Sequence, residues 1–292
     1  MRAEVIAVGT ELLLGDIPNT NAQTIGRELA RIGVDCHVHT AVGDNVERIA
    51  EAISAALARA DAAIITGGLG PTQDDVTREA IALATGDRLV VDPALVVELE
   101  AKFARFGRPM AQINLRQTER PERARSVANP LGTAPGVIAE HDGGVIYAIP
   151  GVPSEMIAML QASVLPDLAR RAGATSSIVT RETRVGGMTE SAVAEALGPM
   201  WERLGPGDVT IAFLAGKGEV RVRLTAKARS EAAASSRLDE VEGEVRAVIG
   251  PAVVGGGEET AELVIGRLLD ERGSPWCTRP IRRRRCSASR RR

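Results

Sequence analysis

Short apolar runs that stop at glycine, each leading into a stretch of helical period, constrain this chain most. "AEVIAVG" spans 3–9 and "DAAIITGG" spans 61–68. Both have the length of a buried strand rather than a buried helix. "NTNAQTIGRELARIG" (19–33) places Ile25, Leu29 and Ile32 at helical spacing between an Asn or Thr cap and a Gly33 stop. "VDCHVHTAVGD" (34–44) reads as a strand. "NVERIAEAISAALARA" (45–60) reads as a helix with Ile49, Ala52, Ile53, Ala56 and Leu57 on one face, and "VTREAIALATG" (76–86) as a helix stopped by Gly86. Strand and helix alternating at short spacing predict an α/β fold, a parallel sheet with helices on both faces.

The pattern continues to about residue 171. "DPALVVELEAKFARFG" (92–107) is a helix with Pro93 in its first turn, and "MAQINLRQTERPERA" (110–124) a polar helix leading into a loop. A hairpin around "HDGG" (141–144), a strand ending at Ile149, a "PGVP" turn and a further helix complete domain 1–171. From about 177 a strand, a helix, a hairpin at "AGKGE" and a second helix predict a small α+β domain, 172–255. "AELVIGRLLDERG" starts another helix within 256–273. There the periodicity stops.

The segment 274–292, "SPWCTRPIRRRRCSASRRR", holds eight Arg and no acid. Taking these eight from the 36 Lys and Arg leaves 28 basic against 38 acidic residues over 1–273, a net of −10. The segment reads either as a disordered basic tail able to bind nucleic acid or as translation in a shifted frame; we favour the shifted frame, because GC-rich codons out of frame yield this mixture. No apolar run approaches the roughly 18 residues needed to cross a bilayer. The N-terminus carries Glu4 and Glu11 and lacks a signal peptide's clean apolar core. Cys36, Cys277 and Cys286 are too scattered for a disulfide framework or zinc site, and His37, His39 and His141 too dispersed for a metal triad. The expected compartment is a reducing cytoplasm.

Four polar stretches fall at expected strand ends, where α/β sheets bind ligands. The first is "TGGLGPTQDD" (66–75): Gly67, Gly68 and Gly70 allow close backbone approach to a phosphate, Thr66, Thr72 and Thr77 offer hydroxyls, and a helix N-terminus follows. It is neither a P-loop nor G-x-G-x-x-G. One acid suffices to cap the helix; two, Asp74 and Asp75, point to a divalent ion bridging carboxylates and phosphate oxygens. The second, "VGTELLLGDIPNTNAQ" (8–23), sets Thr10, Glu11, Asn19 and Asn21 in a polar crossover. The third is "NPLGTAPG" (129–136) and the fourth "IPGVPSEM" (149–156), with Ser154 and Glu155 where a helix starts.

Taken in their order along the chain, the four stretches resemble the signature segments of the CinA (competence/damage-inducible protein A) family, over about 1–273. The resemblance implies a three-layer, mostly parallel α/β domain similar to the molybdopterin-binding domain of molybdenum-cofactor biosynthesis proteins, then a KH-like α+β domain, then in full-length members a nicotinamide-nucleotide amidase domain. It implies a cytoplasmic homodimer that hydrolyses ADP-ribose with a divalent metal (Mg, Co or Mn), assisted by potassium. By position, Gly67, Gly68, Gly70 and Thr72 would contact the diphosphate, and Asp74 and Asp75 would lie near the metal, with Glu11, Asn19 and Asn21 lining the facing loop. Gly132, Thr133, Gly136, Pro150, Gly151 and Glu155 would close the pocket. The Ser-Thr-Gly-Gly-type segment of the amidase is absent, so amidase activity is not expected of this polypeptide.

Two other functions compete. Molybdopterin adenylyl transfer is the first; that family usually shows Arg-Asp where this chain has Asp74-Asp75. A KH-type nucleic-acid module is the second. It needs a G-x-x-G loop, and "VGGMTE" and "AGKGEV" in the second domain do not supply one. A Nudix hydrolase is excluded by the lack of its Glu-rich helix.

Overall fold

The computed structural model describes residues 1–271 except 106, 108, 174–176, 206–208, 217, 258 and 260. The expected tail, 274–292, lies outside them. The chain divides into two compact units, Met1–Val179 with Lys227–Ser235, and Thr180–Ala226 with Ser236 onward.

The first unit is built from β1 (Ala3–Val8), α1 (Thr10–Leu14), α2 (Thr20–Arg31), β2 (His39–Val42), α3 (Val46–Leu57), β3 (Ala62–Thr66) and α4 (Thr77–Thr85). Then come β4 (Leu89–Val91), α5 (Pro93–Arg105), β5 (Glu119–Pro121), β6 (Arg125–Val127), β7 (Gly136–His141), β8 (Gly144–Ile149), α6 (Pro153–Met159) and α7 (Leu165–Ala172). A six-stranded sheet runs β2-β1-β3-β8-β7-β6. β2, β1, β3 and β8 pair in parallel, and β7 and β6 continue the sheet antiparallel.

Alternation along the central strands makes three layers. Val5, Ile64 and Tyr147 join Ile25, Leu29, Met159 and Leu168 in one buried cluster, under α2, α6 and α7. Ile6, Ile65 and Ile146 join Ile49, Ile53 and Ile81 in the other, under α3 and α4. Successive strand side chains point to opposite faces, so one apolar run feeds both cores. Scarce aromatics leave this work to Ile, Val, Leu and Ala; Tyr147 is the one aromatic in either cluster.

Several short elements differ from the sequence expectation. Glu11 is the second residue of a five-residue helix, α1, where a loop was expected. Segment 110–124 is not an α-helix: it forms a 3₁₀ turn over Gln112–Thr118 and then β5, which pairs with β4. β2 starts at His39, leaving His37 outside it. β5 exists through its pairing with β4, which no local period marks.

The second unit is built from β9 (Ser177–Gly186), α8 (Glu190–Leu204), β10 (Val209–Gly216), β11 (Glu219–Ala228), α9 (Glu231–Ile249), β12 (Val253–Gly256) and α10 (Ala261–Glu271), apart from the residues of β9, β11 and α9 that fall in the first unit. Its sheet runs β10-β11-β9-β12. Val220, Val222 and Leu224 alternate into a core with Val193 and Leu197 of α8 and Leu238, Val241 and Val245 of α9 all buried. No helix among the described residues is long and apolar enough to cross a membrane.

Candidate functional site

The register levels three strand ends. Ala7 pairs with Thr66, and Thr66 with Ile149. From β1 the chain turns to β2 on one side, while β3 is followed in the sheet by β8 on the other. Loops leaving such a divergence frame a crevice. Here it is a cavity of about 430 Å³, lined by the loops after β1, β2, β3 and β8 and by 133–134.

Polar clamps hold the loops in place. Asn21 Nδ2 donates to Thr66 Oγ1 (3.0 Å) and to the Gly151 carbonyl (2.7 Å), and Thr66 Oγ1 donates to the Pro150 carbonyl (3.0 Å). Asn19 caps α2 by accepting from the Ala22 amide. Asn19 and Asn21 line a smaller adjoining pocket of about 110 Å³ rather than the main cavity. Thr10 donates from its amide and hydroxyl to Asp44, both at 2.8 Å.

Close contacts require glycine at these positions. A Cβ on Gly67 would strike the Val8 carbonyl, and one on Gly68 the Thr77 hydroxyl, each closer than 3.0 Å. Gly67 and Gly68 also have positive φ, 110° and 66°. A Cβ on Gly9 would lie 2.5 Å from Glu11 Oε1; Gly70 meets Asp75 and Gly132 meets Glu155 in the same way. Three loops therefore each seat a carboxylate flat against bare backbone. Gly9, Gly70 and Gly132 make room for acids.

Glu11, Asp44, Asp74, Asp75 and Glu155 all line the cavity, and no Lys, Arg or His is among its described lining residues. Asp75 Oδ2 accepts from the Thr72 amide (2.9 Å) and hydroxyl (2.5 Å), so Thr72 is turned toward Asp75. Asp74 is exposed, and the neighbouring Thr72 hydroxyl, its own amide and the Arg116 charge hold its carboxyl below the usual range. Gly67, Gly68, Gly70, Thr133, Pro150 and Gly151 also line the cavity. Thr77 does not: it is fully buried and its hydroxyl donates to the Gly67 carbonyl at 2.9 Å. Gly136 is likewise buried, in β7 against the Ala148 carbonyl and Met159. Both act behind the wall.

Sequence reading missed five contributors. Arg78, 1% exposed, donates to the Leu69 (2.8 Å) and Gly70 (2.8 Å) carbonyls from beneath the glycine loop. Arg116 donates to the Thr72 and Asp75 carbonyls and pairs with Glu79 at 2.7 Å. Asn129 ties the 129–134 loop, donating to the Ala134 carbonyl (2.9 Å) and Glu155 (2.7 Å) and accepting from the Gly132 amide (2.8 Å). Asp44 and Gln117 line the cavity. Of these, Asp44 carried a signal: it follows Gly43 just after a parallel strand.

Residues 4–170 match the family described as probable molybdopterin binding domain, and 180–255 the damage-inducible protein CinA KH domain. A molybdopterin-binding-type α/β domain followed by a KH domain defines the class. The chain belongs to the CinA family. It is 49% identical over 280 residues to a CinA-like protein of Frankia casuarinae, and 45% identical over 274 residues to one of Synechocystis sp.. Each match covers 94% of this chain and 65% of the relative, so the chain spans about two thirds of these curated relatives' length. The crystal structure of the protein CinA, of unknown function, from Thermoplasma acidophilum is 36% identical with a TM-score of 0.52. That match covers 55% of this chain and 94% of that one.

Proposed function

We propose that the α/β domain hydrolyses ADP-ribose to AMP and ribose 5-phosphate, with a divalent cation. The observation that carries this reading is the cavity lining, five carboxylates with no basic side chain among the described lining residues. A diphosphate entering alone is repelled; entering with a cation it is held. No three of the described His, Cys, Asp and Glu side chains converge on one point. An ion of the Mg²⁺ type takes one or two carboxylates and completes its shell with substrate phosphate oxygens and water. When bound, such an ion polarises a phosphoryl oxygen and acidifies water.

The chain's own residues do the rest. Asp74 and Asp75, just before α4, hold the ion, and Arg116 and Arg78 hold the loop that carries them. Glu11 faces the same cavity from the β1 loop and takes the proton of the attacking water. The water oxygen bonds to one phosphorus of the bridge, the bridging P–O bond breaks, and the displaced oxygen leaves on the second phosphate monoester.

A second reading has support from the match of 4–170 to a probable molybdopterin binding domain: a pterin phosphate in the same crevice. Incubating the protein with ADP-ribose, with and without Mg²⁺, Mn²⁺ or Co²⁺, and separately with molybdopterin and MgATP, separates the two. Metal-dependent AMP release from ADP-ribose is expected. Adenylylated molybdopterin without AMP release from ADP-ribose would sink the first reading.

A further inference from the structure

The 3₁₀ turn over Gln112–Thr118 sends adjacent side chains to different tasks. Arg116 grips the glycine loop. Thr118 satisfies its hydroxyl on the Leu115 carbonyl at 2.7 Å. Gln117, between them, is 2% exposed and lines the 430 Å³ cavity. Its Oε1 is buried and has no hydrogen-bond partner among the described residues. A buried amide oxygen without a partner costs stability, and native folds leave few of them. A partner arriving from solution removes that cost.

The cavity's chemistry narrows what the partner is. Gln117 Oε1 is an acceptor: a hydrogen-bonding partner must bring an O–H or N–H, while the divalent ion of the proposed reaction, the other species an amide oxygen can hold, is assigned to Asp74 and Asp75. Phosphate groups of a diphosphate bridge carry none when ionised. The donors of a nucleotide diphosphate are its sugar hydroxyls and the amino group of its base. We propose that Gln117 is a specificity-determining contact of this cavity, its Oε1 accepting a hydrogen bond from a sugar hydroxyl or base amino group of a bound nucleotide diphosphate. The inference rests on the nucleotide-diphosphate reading of the cavity. A neutral acceptor suits the role, because it adds no further negative charge beside the phosphates. A site that holds such an acceptor discriminates strongly against ligands lacking the matching donor.

The test uses the full chain in Mg²⁺ with methylene-bridged analogues of ADP-ribose and ADP, which cannot be hydrolysed at the bridge. Melting temperature and calorimetric affinity are measured for the wild type, Gln117→Met and Gln117→Leu. Ligand-free Gln117→Met is expected to melt at or above the wild-type temperature, since it removes an unpaired buried oxygen. Its affinity for the ADP-ribose analogue is expected to fall about tenfold or more. An equal fall for the ADP analogue places the donor on the adenosine; wild-type affinity for the ADP analogue places it on the second ribose. Unchanged affinity for both analogues overturns the proposal, as does a lowered ligand-free melting temperature in both variants, which would make Gln117 part of the framework. A wild type that binds neither analogue sinks the underlying reading and the inference with it.

Discussion

Asp75 accepts both hydrogen bonds that Thr72 can donate, 2.9 Å from its amide and 2.5 Å from its hydroxyl. The pair closes the glycine loop on itself and fixes one carboxylate at the cavity wall just before α4. Asp75→Ala is expected to lose metal-dependent turnover by about a hundredfold or more, as removal of a charge-stabilising group does. Its circular dichroism should stay native. Thr72→Val, which removes only the hydroxyl, should cost less, roughly tenfold. Steady-state AMP release measures both, and full activity in Asp75→Ala would refute the metal assignment.

Arg78 is almost fully buried and spends its guanidinium on two backbone carbonyls. Burial pushes its pKa down, and the charges of Glu79 and Asp75 push it back up. Arg78→Met strands the Leu69 and Gly70 carbonyls, so a loss of about 2–4 kcal/mol in unfolding free energy is expected. Urea denaturation reads this directly. Arg78→Lys should recover only part of it, because one ammonium cannot reproduce the fork.

Gly132 lies under the Glu155 carboxylate, where a methyl group has no room. The carboxylate sits at the end of a rotatable side chain and can swing away. Gly132→Ala should therefore leave stability within about 1 kcal/mol of wild type while turnover falls about tenfold. If thermal unfolding shifts strongly and turnover holds, the glycine serves packing alone.

Away from the site, Tyr147 of β8 donates to Asp167 of α7 at 2.6 Å, and Arg171 reaches the same carboxylate at 2.9 Å. Burial raises the Asp167 carboxyl, but hydrogen bonds from Tyr147, Arg171 and Arg170 outweigh it and hold it far below the ordinary range. The folded pKa thus lies under the unfolded value of about 3.9. The stabilisation is complete above that value and drains away as pH falls through the folded one. The stability gap between wild type and Asp167→Asn should be about 2 kcal/mol at pH 7 and shrink below about pH 4. Guanidinium melts at several pH values would show it; a gap that widens in acid contradicts the sign.

How much of this was legible follows from where each signal resides. β1, β3 and the helices beside them announce themselves through local period, and the hairpin turns at 142–143 on an Asp-Gly pair. β4 and β5 are three residues each and exist because they pair across 27 residues of chain; nothing local marks them. Four of the cavity's five acids could be read, since carboxylates at strand ends are conspicuous; Asp44 was the one missed. Arg78 could not: an Arg two residues into a helix pattern looks like solvent-facing charge until the loop folds over it. Gln117 is hidden for a related reason, because being unpartnered is a property of the folded surroundings and leaves no mark in the sequence.

Seating carboxylates on glycine backbone also has a thermodynamic consequence. A cavity with five acids and no counter-charge among its described lining residues couples any anionic ligand to any cation that shares it. Linkage makes the coupling reciprocal: whatever factor the ion adds to nucleotide affinity, the nucleotide returns to ion affinity. Under such coupling a cell low in free divalent ion would need correspondingly more of the nucleotide to fill this site.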